Sequence, residues 1–70
     1  MNDVTCIENH HLLLKELCSL SAVIVEQMCQ PKNNMEEAIT NELGDVYFRL
    51  HEIMKYYDKE KVMARCHSNT

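Results

Sequence analysis

"QPKNN", residues 30–34, contains the chain's one proline and two adjacent asparagines. The residue before a proline is held out of the α region, and asparagine favours turns. The stretch therefore predicts a turn over 31–34 with regular structure on both sides. To its left, Ile7, Leu14, Leu17, Ser21, Ile24 and Met28 form a stripe, widened by Leu13, Leu20 and Val23. Spacings of three and four mark a helix, over about 6–30. To its right, Met35, Ala38, Ile39, Leu43, Val46, Leu50, Ile53, Met54 and Tyr57 form a second stripe. Asn34 suits its N-cap, and Glu36 and Glu37 suit the positive end of its dipole. This helix is expected over about 35–57, with a short third one over about 59–66.

Seventy residues make one domain. A chain of this size buries only about 60% of its unfolded surface, so its own core is marginal. The chain is 46% apolar and lacks tryptophan, which leaves Met, Leu, Ile and Val to supply the burial. Two long helices joined by a short turn lie antiparallel as a hairpin. Each is apolar over more than the face one partner can cover. The expectation is an all-α fold, a helical hairpin plus a short third helix. Homodimerisation, or a higher homo-oligomer, would complete a four-helix bundle.

The net charge of −4 argues against binding the nucleic-acid backbone, which needs clustered Lys and Arg. No basic amphipathic face is present for an anionic membrane, and no apolar run is long enough to span one. The four cysteines form no CxxC pair, and the N-terminal residues do not resemble a signal peptide. The expected compartment is the cytoplasm, with reduced thiols.

Three acids depart from the usual placement at helix ends and wet faces. Glu16 is flanked on neighbouring turns by Leu12, Leu13, Leu20 and Val23, so it projects from an apolar surface. An ionised carboxylate there is costly unless paired or bound to metal. Glu42 and Asp45 stand three apart on one face of the second helix, and their like charges call for something positive nearby. Arg49, one turn beyond Asp45, could supply part of it. A hard divalent cation could supply more. A buried ion pair of Glu16 with Arg49 or Lys15 is the competing arrangement. Gly44, the only glycine, lies between the two acids. It would admit either a neighbouring helix or an approaching base or phosphate.

"NELGDVYFRL", residues 41–50, resembles the second acidic motif of the MazG-like all-α nucleoside triphosphate pyrophosphohydrolases, which carry E-E-L-(G/A)-D-V on one helix. That family has Glu-x-x-Glu on the preceding helix, where this chain reads "LLLKELCSLSAVI". The resemblance spans about residues 12–65. It implies Mg2+ or Mn2+ held by Glu16, Glu42 and Asp45, and hydrolysis of a nucleoside triphosphate to monophosphate and pyrophosphate. Among the basic residues, Arg49, Lys55, Lys61 and Arg65 could meet triphosphate oxygens, the alternative being a solvated charged face. The chain departs from the pattern at Ser19, where the second glutamate of the first motif would stand. The alternative is therefore a catalytically impaired relative that binds a nucleotide or a protein partner. A plain helical adaptor with structurally paired acids is a third reading.

Other candidates are weaker. Cys6 and His10 lie one helical turn apart, and with His11 or Cys66 and His67 they could form part of a zinc site, but the spacing matches no zinc signature. Cys18 and Cys29 read as small apolar fillers. Tyr47, Phe48, Tyr56 and Tyr57 could stack a base, although Phe48 and Tyr57 are expected to pack in the bundle.

Overall fold

The computed structural model describes residues 4–70 as three helices: α1, Val4–Cys29; α2, Glu36–Met54; and α3, Lys59–His67. No strand occurs among the described residues. The turn after α1 forms where proline and asparagine predict it. Gln27 spans it, its Oε1 accepting from the Met35 amide at 3.0 Å. Asn34 does act at the start of α2, but from one position earlier than expected. Its Oδ1 accepts from the Glu36 amide at 3.0 Å, while the capping position belongs to Met35, whose side chain makes no cap bond.

α2 stops at Met54, three residues short of the expected end. The amides of Tyr56 and Tyr57 bond to the carbonyls of Ile53 and Met54, only three residues back, which tightens the chain out of the α path. Both tyrosines then reach α1. Asn9 Nδ2 donates to the Tyr56 hydroxyl at 2.8 Å, and the Tyr57 hydroxyl lies 2.6 Å from His10 Nε2. Asp58 is extended and caps α3, its Oδ1 accepting from the Glu60 and Lys61 amides at 3.0 and 3.2 Å. At the other end of α3, Ser68 Oγ and Asn69 Nδ2 donate to the Arg65 carbonyl at 2.7 and 2.9 Å, satisfying a carbonyl that the helix leaves free.

Gln27 with Met35 at one end and Asn9 with Tyr56 at the other set α1 and α2 antiparallel. The seam between them runs through Cys6, Asn9, Leu13, Glu16, Leu20, Val23 and Gln27 on α1, each buried or half-buried. On the other side it runs through Met35, Ile39, Glu42, Val46, Arg49, Ile53 and Tyr56. Steps of three and four alternate on both sides, a 3.5-residue period and hence a coiled-coil seam. Only Cys6, Val46 and Ile53 are buried outright among the described residues.

The first helix's stripe falls one position out of phase with this seam. Ile7, Leu14, Leu17, Ile24 and Met28 remain 39–74% exposed, while the widening residues Leu13, Leu20 and Val23 face α2. Phe48 and Tyr57, expected inside, are 55% and 42% exposed, and Cys18 and Cys29 are exposed rather than filling the core. The reason is thickness. The molecule measures 43 × 32 × 16 Å, and a helix with its side chains is already about 10–12 Å across. One layer of helices has a seam but no interior, so residues a quarter-turn off the seam stay wet.

Candidate functional site

The seam is interrupted by charge at its middle. Glu16 lies on it near the centre of α1, and Glu42 lies on it from α2. Asp45, one turn after Glu42, stands at the seam's edge and is exposed. One carboxylate oxygen from each of the three lies within 4.8 Å of the others. Two helices distant in sequence thus bring together the acids that the sequence singled out. Among the described residues, this is the only such gathering of three potential ligands.

Glu16 and Glu42 are half-buried. Glu42 Oε2 is shielded from solvent and has no hydrogen-bond partner. Leaving a buried acceptor unsatisfied costs about 1–3 kcal/mol, and more when it is charged. The competing ion pair does not form. The Arg49 guanidinium lies over the Phe48 ring, 5.2 Å from its centroid, and does not pair with Glu16. Lys15 points away from the seam and is exposed.

The donor set suits a hard cation. All three ligands are carboxylate oxygens, as Mg2+ prefers. At Mg–O distances of about 2.1 Å, two ligands on one ion are at most about 4.2 Å apart. The present spacing, within 4.8 Å, is slightly wider than that value. Ser19 is half-buried, one turn after Glu16, on the same flank of the hairpin as Asp45.

The basic residues are spread out. Arg49 is one turn past Asp45, about 6 Å along the axis, whereas Lys55 is about 15 Å along it. Lys55 Nζ sits over the Tyr56 ring, 5.6 Å from its centroid. Lys61 and Arg65 are exposed on α3. Only Arg49 of the four accompanies the acids closely. Gly44 faces open space, with nothing within 4 Å of where a Cβ would stand. It therefore admits no helix of its own chain, and close intrachain packing is not its reason.

Cys6 and His10 do meet, Sγ to Nδ1 at 3.6 Å, but no third ligand joins them among the described residues. His10 Nδ1 is 2.7 Å from the Cys6 carbonyl, which can only accept, so Nδ1 carries a proton and Nε2 accepts from the Tyr57 hydroxyl. The group is a latch between α1 and the end of α2. No local sequence signal marks it, because its halves lie 47 residues apart.

No family model, curated protein or solved structure matches the chain. No described helix is long and apolar enough to cross a membrane.

Proposed function

We propose that the chain is a MazG-like enzyme that hydrolyses a nucleoside triphosphate, with Mg2+ or Mn2+, to monophosphate and pyrophosphate. In this reading it works in the cytoplasm as a homodimer or higher homo-oligomer whose hairpins complete a four-helix bundle. The observation that carries the proposal is the meeting of Glu16, Glu42 and Asp45 within 4.8 Å across two helices, with a partnerless buried oxygen on Glu42. When bound, a divalent cation would neutralise phosphate charge and activate water. The chain's own part is to hold the three carboxylates in place. Glu16 and Glu42 are fixed by the seam, and Asp45 presents its oxygen to the open side. Arg49, released from its neighbouring ring, would meet a phosphate oxygen beside Asp45. Lys55, Lys61 and Arg65 would serve outlying phosphates or the solvent.

Ser19 favours a second reading. It places a hydroxyl where the resembling family has a carboxylate, which leaves less negative charge to gather cations. The chain would then bind a nucleotide or a protein partner without turning it over. The test is to incubate the protein with each ribo- and deoxyribonucleoside triphosphate and Mg2+ and to assay pyrophosphate. Turnover that disappears in Glu42→Gln supports the enzyme. Mg2+-dependent nucleotide binding without turnover supports the second reading. If neither nucleotide nor Mg2+ shifts the melting temperature, both fall.

A further inference from the structure

The hairpin has two flanks of different chemistry. In an antiparallel pair with a 3.5-residue seam, the positions just after the seam on both helices share one flank, and those just before it share the other. The first set holds Leu14, Leu17 and Ile24 of α1 with Leu43, Tyr47 and Leu50 of α2, and all six are exposed. Asp45, Ser19, Glu26 and Glu52 fall on the other flank. The apolar flank is continuous. A groove of about 620 Å³ between α2 and α3 includes Tyr47, Leu50 and Met63 in its lining, and Tyr57 lines both this groove and a smaller one beside Ile7.

We infer that this flank is the surface through which a second copy of the chain docks. The inference deepens the homodimer part of the reading above and does not depend on nucleotide chemistry. Area supports it first. The accessible surface is 5813 Å² for 8.2 kDa. A folded monomer of that mass exposes about 4,500 Å². The excess of about 1,300 Å² exceeds the roughly 800 Å² that each partner gives to a standard stable interface. Charge supports it second. A two-fold interface sets the same patch against itself, so a charged patch would repel its copy. The six central residues of this flank include no Lys, Arg, Asp or Glu, although Lys55 and Lys59 line the groove toward α3, and charge depletion is what an interface core shows. Docking there leaves Asp45, the exposed member of the acid cluster, on the opposite flank and open to solvent.

Neighbouring residues provide the test. Tyr47 and Phe48 are 77% and 55% exposed, and one residue's rotation places them on opposite flanks. The wild-type chain, without nucleotide or metal, is expected to show twice the protomer mass by sedimentation. Hydroxyl-radical labelling of Tyr47 should fall as concentration rises through the association midpoint, while that of Phe48 holds. Tyr47→Lys and Leu14→Lys should each weaken association by at least about tenfold, a change of about 1.4 kcal/mol. Glu26→Lys should leave it unchanged. A dimer that protects Phe48 and not Tyr47 overturns this surface while leaving dimerisation standing. A wild-type chain that stays monomeric throughout overturns both, and the pyrophosphate assay still judges the nucleotide reading separately.

Discussion

The two flanks of this hairpin have the same helical period beneath them and opposite contents. One presents Leu14, Leu17, Leu43, Tyr47 and Leu50 to solvent; the other presents Asp45, Glu26 and Glu52 beside the half-buried Glu16 and Glu42. In a fold one helix thick, a residue's chemistry is decided by which side of the seam it falls on. A step of one position moves a side chain from a sticky face to a wet one. The seam itself is thin and mixed, with Asn9, Glu16, Gln27, Glu42 and Arg49 among its members. Charged groups in such a seam contribute less to stability than apolar ones would.

Glu42 offers the largest effect by which to break this contrast. Glu42→Gln keeps the shape and removes the charge. Pyrophosphate release is expected to fall by ~100-fold or more, beyond the 10–100-fold seen when groups supporting a metal ligand are lost. The melting-temperature rise with Mg2+ should vanish too. An unchanged Mg2+ response would show that the acid flank holds no cation through this residue.

Next comes a comparison of the seam with the apolar flank. Ile53 is 8% exposed and Leu43 is 52% exposed. Ile53→Ala should cost about 2–5 kcal/mol at any protein concentration, because it leaves a cavity. Leu43→Ala should cost little in the separated protomer, and its destabilisation should grow with concentration as association contributes to stability. Urea unfolding at two concentrations about a hundredfold apart reads both. Equal, concentration-independent losses would mean that the flank is not an interface.

Ser19→Glu sharpens the acid side. Without metal, the added charge beside Glu16 and Asp45 should lower stability by a few tenths of a kcal/mol, the size of a like-charge pair on a helix. With Mg2+, the sign should reverse, and Mg2+ should bind about tenfold more tightly, a gain of about 1.4 kcal/mol. Calorimetric titration with Mg2+ measures it. Loss of stability under both conditions would place position 19 outside any cation's reach.

The helices and their turn were legible in the sequence, because proline, paired asparagines and the spacing of apolar residues act locally. The three clustered acids were legible for a related reason. A carboxylate amid leucines, and two acids three apart, are anomalies that local periodicity exposes. The phase of α1 was not legible. Ile7, Leu14, Leu17 and Ile24 make as good a stripe as Leu13, Leu20 and Val23, and only the partner helix decides which of them faces inward. The latch of His10 with Tyr57 was hidden by its 47-residue separation. The early end of α2 was hidden with it, since the tyrosines leave the helix in order to reach α1.

Gly44 gives the smallest effect and bears on both flanks, because it sits on the outer ridge of α2 between them. Its φ is not positive, and a Cβ would meet nothing within 4 Å. Neither strain nor crowding within the chain therefore requires glycine. An interior glycine costs a helix about 0.8–1.0 kcal/mol relative to alanine. Gly44→Ala should raise stability by that amount, which in a domain of this size is about 4–8 °C in melting temperature. The protomer association should not change, since the ridge lies off the apolar flank. Nucleotide affinity is the deciding readout. If the chain keeps glycine so that a base or phosphate can approach the backbone beside Glu42 and Asp45, Gly44→Ala will melt higher and bind nucleotide less well. If affinity holds while stability rises, the approach to the acids runs along the seam edge at Asp45, and the ridge takes no part in it.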